Sequence, residues 1–320
     1  MKPEYFLGID TSNYTTSAAI IDGAGAVVAN CKCPLPVAEG ACGLRQSDAV
    51  FAHIKNMPVL MQMVRPYLDG GDLVAIGVSE APRRAEGSYM PCFLSGVAAA
   101  EAAATAAGVP LYRFSHQCGH LAAALLSSGR DDLFGTSFAA FHVSGGTTEL
   151  VHVESFRDDG FSVELLGGTA DLNAGQIIDR VGVMLGLRFP CGPALEVLAE
   201  GAERVPRPRI SVRGYHANLS GVENQAKKML ADGVAPSVIA AYVLDFVAET
   251  LASLSTALRE KYEDIPIVYA GGVMCNKRIR RRLSAFGDTA FAEPAFSADN
   301  AAGIALLCKK RHGGMHANRI

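Results

Sequence analysis

Two histidines four positions apart, in His116-Gln-Cys-Gly-His120, are the residues whose type and spacing point most directly to chemistry. On a helix such a pair stands on one face, one imidazole above the other. Both rings can then bind a single divalent metal and leave room for a third, oxygen ligand. The pair is read together with Asp299, the one carboxylate in Ser297-Ala-Asp-Asn300 far downstream. Two histidines and one carboxylate suit iron, zinc or manganese. The same spacing also arises on helices that simply pack two imidazoles. It is not the His-Glu-x-x-His pattern of zinc peptidases, because Gln117 follows the first histidine and cannot act as a general base.

Two glycine turns follow the pair in sequence. Val143-Ser-Gly-Gly146 follows an apolar strand, and Ala270-Gly-Gly-Val273 follows another, with a helix expected from about residue 276. Glycine lets backbone N–H groups approach a phosphate without a Cβ in the way. Gly-Gly also ends many ordinary strands, so neither turn alone specifies a ligand. Asp179 lies in a helical stretch, either as a surface charge or as an acceptor for a ribose hydroxyl. Glu196 follows the turn Pro190-Cys-Gly-Pro193, just inside a helix, where the dipole alone favours a carboxylate. The run Lys277-Arg-Ile-Arg-Arg-Arg282 fits RNA phosphate, an acidic partner or a solvated helix face.

The elements that must hold these residues repeat. Phe6-Leu-Gly-Ile-Asp10, a polar turn and Ser17-Ala-Ala-Ile-Ile21 form a strand–turn–strand unit. Phe138-Ala-Ala-Phe-His-Val143, the glycine turn and Glu149-Leu-Val-His-Val153 repeat it about 135 residues later. The echo predicts a duplicated α/β domain. Helices are expected over residues 48–68, 96–107 and 236–262, with Pro58 kinking or splitting the first. Strands are expected over 73–79, 109–114 and 265–270, and Ser115 is expected to cap the helix carrying His116. Residues 205–221 read as an irregular loop. The domain reading is 1–114, completed by a C-terminal helix over 298–312, then 115–297, with a flexible tail over 313–320.

Composition narrows the function classes. The net charge of -3 provides no global field for nucleic acid or membrane, so any RNA contact is a local patch. The eight cysteines do not form a disulfide framework, and Cys31-Lys-Cys33 has no second pair to make a zinc site. Residues 1–6 are too polar and short for a signal peptide, and no apolar run of membrane-spanning length is free of polar interruption. The expectation is a reduced, cytoplasmic chain without a membrane partner.

Hairpin, glycine turn, carboxylate and second glycine turn, in two halves, resemble the order in the actin-like ATPase and sugar-kinase (ASKHA) superfamily. That resemblance implies an α/β fold of two related domains with a nucleotide in the cleft between them. More closely, Leu7-Gly-Ile-Asp-Thr-Ser12, the His116–His120 motif, Val143-Ser-Gly-Gly-Thr147, Gly175-Gln-Ile-Ile-Asp179, Leu185-Gly-Leu-Arg-Phe-Pro-Cys-Gly-Pro193, Leu219-Ser-Gly221, Ala270-Gly-Gly-Val-Met-Cys-Asn276 and Ala298-Asp-Asn300 follow one another as in the TsaD family. That family makes threonylcarbamoyladenosine in tRNA and was formerly described as a glycoprotease. The resemblance implies His116, His120 and Asp299 as the three protein ligands of one divalent metal, iron foremost, with zinc, manganese or magnesium as alternatives. It implies His142, Val143, Ser144, Gly145, Gly146, Asp179, Gly192, Glu196 and Asn276 as contacts to an adenine nucleotide or adenylate. It further implies transfer of a threonylcarbamoyl group from its adenylate to N6 of the adenosine beside the tRNA anticodon, with TsaB-like and TsaE-like proteins as partners.

Several positions depart from the family pattern. Tyr14 and Thr15 replace an acidic pair, Thr147 replaces a histidine, Gln176 stands where glutamate is common, and Val222-Glu223 stand near a usual lysine. These departures keep open a divergent paralogue that binds nucleotide and metal but uses another acceptor or serves as a non-catalytic partner. A small-molecule kinase or carbamoyl transferase of the same superfamily is a third reading.

Overall fold

The structure, a computed structural model, describes residues 2–12, 14–36, 44–157, 160–297 and 301–317. In chain order the first elements are β1 (Glu4–Asp10), β2 (Thr15–Asp22), β3 (Val27–Pro34), α1 (Gln46–Leu68), β4 (Asp72–Ala81), α2 (Phe93–Ala107), β5 (Leu111–Ser115) and α3 (His116–Ser128). Next come β6 (Phe138–Val143), β7 (Thr148–Val153), β8 (Val163–Thr169), α4 (Ala174–Met184), α5 (Gly192–Ala199), β9 (Ser211–Arg213), β10 (His216–Asn218), α6 (Gly221–Ala231) and α7 (Pro236–Lys261). The chain ends with β11 (Ile267–Ala270), α8 (Lys277–Leu283), β12 (Thr289–Phe291), the single turn α9 (Pro294–Ser297) and α10 (Ala302–Ala317).

Two units divide the chain: Met1–Thr136 with Ser155–Ser162 and Ala295–Ile320, and Ser137–Glu154 with Val163–Pro294. The boundary therefore falls after residue 136, whereas the sequence reading set it after 114. The difference is α3, which packs on α10, β4 and β5 of the first unit. The C-terminal helix also continues to Ala317, into the segment read as a tail.

The first sheet runs β3-β2-β1-β4-β5 and the second β12-β11-β6-β7-β8-β10-β9. In each, three antiparallel strands come first, and two strands then add in parallel beside the opening strand. The order β8-β7-β6-β11-β12 repeats β3-β2-β1-β4-β5, so the hairpin echo in the sequence marks a duplicated topology. The second unit adds β10 and β9 outside β8. These two strands lie in the stretch read as an irregular loop. Their three-residue lengths are too short to show a period-two pattern, and pairing with β8 is what makes them strands.

In the first unit Leu7 and Ile9 of β1 pack into the core with Ile76 and Val78 of β4 and with Leu60 and Val64 of α1. Alternation turns Gly8 and Gly77 to the opposite face. There α10 approaches so closely that a Cβ on Gly8 would lie 2.5 Å from Ala301 O and from Ala305 N. A Cβ on Gly77 would lie 2.9 Å from Ile304 O, and one on Gly119 of α3 would lie 2.8 Å from Ile304 Cδ1. Helix α1 is continuous through Pro58 rather than split, with Leu60 and Val64 beyond the proline fully buried.

Helix α7 is the core helix of the second unit, with Ile239, Val243, Phe246, Leu251, Leu254 and Leu258 buried. By length and composition it could cross a membrane, but Asp245 and Glu249 interrupt it and 72% of its most apolar window is buried inside the protein.

A backbone approach of this kind cannot open without moving a helix. Gly8→Ala is expected to destabilise the chain by about 1–3 kcal/mol through overpacking, measured by urea denaturation.

Candidate active site

Parallel register brings the carboxyl ends of β1, β4 and β5 side by side. Ile9 pairs with Val78, and Ser79 with Phe114. Asp10 ends β1, Ser79 lies near the end of β4, and His116 opens the helix that follows β5. Ser115 caps that helix as expected, its Oγ accepting from the Cys118 N–H at 3.3 Å. Ligand sites in such sheets collect at the carboxyl ends of the strands.

His116 and His120 stand one turn apart with ring centroids 4.3 Å from each other, edge to face. Phe93 lies against His116 at 6.0 Å between centroids. His116 Nδ1 is 3.1 Å from Asp10 Oδ1. Asp10 is fully buried; its Oδ2 accepts from Ser12 Oγ at 2.6 Å and its Oδ1 accepts from Ser79 Oγ. Burial would raise the Asp10 carboxyl, but the charge and hydrogen bond of His116 and the bonds from Ser12 and Ser79 outweigh it and hold the carboxyl below its ordinary value. Asp299, the third expected ligand, lies outside the described residues. Among the described residues no group of three His, Cys, Asp or Glu side chains is arranged for a metal ion. The donor chemistry of two histidines one helical turn apart suits a divalent metal, and Asp10 engages the Nδ1 side of His116.

The residues expected to hold an adenylate all fall in the second unit. His142 and Val143 end β6, and Ser144 to Thr147 form the turn into β7. The turn is closed by Ser144 N–H donating to Thr147 O at 2.7 Å, while Ser144 Oγ accepts from the N–H groups of Gly146 and Thr147 at 3.3 and 3.1 Å. Helix α4 abuts it: Gly175 N–H donates to Ser144 O at 3.1 Å, and a Cβ on Gly175 would lie 2.7 Å from Gly145 N. The second glycine turn meets the end of β6, where a Cβ on Gly271 would clash with Val143 O at a φ of 100°.

Other glycines here have no steric reason to be glycine. Gly145, Gly146, Gly192 and Gly272 lack a positive φ, and a Cβ on any of them would meet nothing within 4 Å. Gly145, Gly146 and Gly272 are exposed and Gly192 is half-buried, so their main chain has room beside it, whereas Gly175 and Gly271 are needed for packing.

Three carboxylates tie helix starts together. Asp179 Oδ1 accepts from Cys191 N–H at 2.7 Å, just before α5. Glu196 Oε1 accepts from Lys277 N–H at 2.7 Å, at the start of α8, which Asn276 caps through Oδ1 to Ile279 N–H at 3.1 Å. Asp171 accepts from the N–H groups of Leu219 and Ser220 at 2.7 and 3.0 Å, ahead of α6. Asp10, Ser79 and Asp171 have no place in the sequence reading as site residues. A lone carboxylate ending a strand or sitting in a loop gives no sign of its partners, which come from other elements.

A depression of about 550 Å³ is lined by Gln176, Asp179, Arg180, Val183, Phe189 and Glu223. Two positions that depart from the family pattern are therefore beside Asp179. Gln176 Oε1 accepts from Asn173 N–H at 3.0 Å in a capping box, and Glu223 pairs with Arg180 at 3.1 Å and Lys227 at 2.7 Å. Tyr14, another departure, is 44% exposed. The basic run is engaged largely within its own unit: Arg278 makes a bidentate pair with Asp245 at 2.6 and 2.7 Å, and Arg282 pairs with Glu249 at 2.6 Å. Arg280 lies over the Phe291 ring at 5.0 Å.

Paired sheets of this order define the actin-like, sugar-kinase class of fold. Solved structures of that kind are similar to this chain. Full-length HypF in its phosphate- and nucleotide-bound form gives a TM-score of 0.60 at 12% identity, covering 97% of this chain and 56% of that one. Component A of (R)-2-hydroxyglutaryl-CoA dehydratase from Acidaminococcus fermentans gives 0.54 at 14% identity, covering 97% and 99%. Within this class the chain belongs to the TsaD family, described as tRNA N6-adenosine threonylcarbamoyltransferase, whose model matches residues 48–306. A relative of that name from Thermus thermophilus is 30% identical over 321 residues, covering 98% of this chain and 93% of the relative. Another from Magnetococcus marinus is 32% identical over 302 residues, covering 87% and 82%.

Asp171 offers a pH test of the carboxylate ties. Burial would raise its pKa, but hydrogen bonds from Ser220, Leu219 and Leu172 hold it below the ordinary value of 3.8. A depressed folded-state value contributes stability above the unfolded-state pKa, and that stability is lost as pH falls through the folded one. Asp171→Ala is therefore expected to destabilise by about 1 kcal/mol at neutral pH. The gap to the parent should close as pH falls below 3.8, followed by urea denaturation across pH 3–7.

Proposed function

We propose that this chain transfers a threonylcarbamoyl group from threonylcarbamoyl-AMP to N6 of the adenosine beside the tRNA anticodon, using a bound divalent metal. The observation that carries the reading is the histidine pair of α3, rings 4.3 Å apart at the carboxyl ends of the parallel strands, in a chain of this family. His116 and His120 would hold the metal, with Asp299 as the third ligand that the family resemblance implies. When bound, a divalent metal supplies Lewis acidity that polarises a carbonyl and neutralises a phosphate.

The chain's own residues bind and orient. The open backbone at Gly145, Gly146, Gly192 and Gly272 leaves space for an adenylate to lie against the main chain, and amide groups there suit phosphate oxygens. Asp179 and Glu196 are already fixed by helix N-termini, so they would meet ribose hydroxyls without reordering. In the reaction the N6 amine attacks the carbamoyl carbon, the bond from that carbon to the phosphate oxygen breaks, and AMP leaves with the electron pair while the amine loses a proton. Iron as the metal, and TsaB-like and TsaE-like proteins as partners, follow from the same reading.

Two measurements test it. His116→Ala with His120→Ala is expected to abolish stoichiometric metal binding and to lower threonylcarbamoylation of unmodified tRNA by at least about 100-fold. Unchanged metal stoichiometry overturns the ligand assignment. No transfer by the parent protein, supplied with threonylcarbamoyl-AMP and the partner proteins, overturns the reaction. Gly146→Val should leave urea stability within about 0.5 kcal/mol of the parent. It should weaken AMP binding by about tenfold or more in calorimetry, equivalent to about 1.4 kcal/mol.

A further inference from the structure

We infer that Asp10 is the positioning residue for His116: its carboxylate holds the proton on Nδ1 and presents Nε2 as the metal donor. The inference rests on the proposed metal site and goes beyond it by naming the residue that prepares the ligand.

Asp10 is at the end of β1, and His116 lies 106 residues further along the chain, at the start of α3. Their contact is 3.1 Å between His116 Nδ1 and Asp10 Oδ1. The carboxylate itself cannot turn freely. Ser12 Oγ donates to its Oδ2 at 2.6 Å, and Ser79 Oγ donates to the same Oδ1 that meets the imidazole. Asp10, Ser12 and Ser79 are all buried, so solvent does not compete for these bonds.

A carboxylate accepts hydrogen bonds and donates none. Facing Nδ1, it selects the form of the ring with hydrogen on that nitrogen. The lone pair is then on Nε2. The carboxylate also raises the basicity of that nitrogen, as a carboxylate–histidine pair does behind a metal. Phe93 and His120 also pack against the ring, with centroids 6.0 and 4.3 Å away. A buried carboxylate with this much hydrogen-bond support would be costly as a mere structural device, since an apolar residue would fill the end of β1 more simply.

The test uses the full chain stripped of metal and titrated with zinc(II). In the zinc-loaded parent, imidazole nitrogen NMR should show His116 with hydrogen on Nδ1 and zinc on Nε2. Asp10→Asn removes the charge while preserving shape, and is expected to weaken zinc binding about 10–100-fold. Ser79→Ala, which leaves the charge in place, should weaken it less. His116 bound to zinc through Nδ1 overturns the inference in the parent itself, whether or not the variants fold. Zinc binding by folded Asp10→Asn as tight as in the parent also overturns it, while leaving the metal site standing. Failure of the parent to bind zinc at His116 overturns the metal reading and this inference together.

Discussion

The first unit depends on one close approach. Helix α10 lies on the sheet at backbone distance, which is possible only because Gly8, Gly77 and Gly119 have no side chain on the contact face. Gly303 of α10 packs equally tightly on the backbone of Gly119. Gly119 lies between His116 and His120 in sequence, so the contact that seats α10 also fixes the turn of α3 from which both rings project. Parallel register of β1, β4 and β5 does the rest, bringing Asp10 and Ser79 to the same end as His116. Packing and chemistry are thus coupled: a change that lifts α10 also moves the imidazoles relative to Asp10.

Around the apolar core of the second unit, carboxylates tie helix ends together. Asp171, Asp179 and Glu196 each accept a backbone N–H at or just ahead of a helix start, where unpaired donors and the helix dipole favour negative charge. These ties join α4 to α5, α5 to α8, and the segment before α4 to α6. They give the carboxylates defined orientations before any ligand arrives. The glycine turns divide by the same logic. Gly175 and Gly271 make room for protein backbone, whereas Gly145, Gly146, Gly192 and Gly272 leave room that protein does not fill. The departures at Gln176 and Glu223 fall beside Asp179 and are satisfied by local partners, a capping bond and two ion pairs.

Much of the fold was legible because its signals are local. Short apolar runs on either side of a polar turn marked β1, β2, β6 and β7, and their recurrence marked the duplication that both sheets display. Spacing of four put His116 and His120 on one helical face, and Ser115 announced that helix as its cap. The short strands β9 and β10 were not legible, since three residues carry no period and pairing alone defines them. Nor was the assignment of α3 to the first unit, which its packing against α10 decides. The sequence left the basic run of α8 open between RNA phosphate, an acidic partner and a solvated helix face, and only tertiary structure shows Arg278 and Arg282 paired with Asp245 and Glu249 of α7.

By itself the sequence determined the repeated strand–turn–strand pattern, the pairing of two histidines on one helix turn and the glycine turns, because each is set by residues close along the chain. Tertiary structure decided which of those glycines are for packing and which are open. It also decided that Asp10, Ser12 and Ser79 stand behind His116. Ser12 follows Asp10 just past β1, but Ser79 comes from β4 and His116 from α3, and sheet register brings those two to the Asp10 carboxylate.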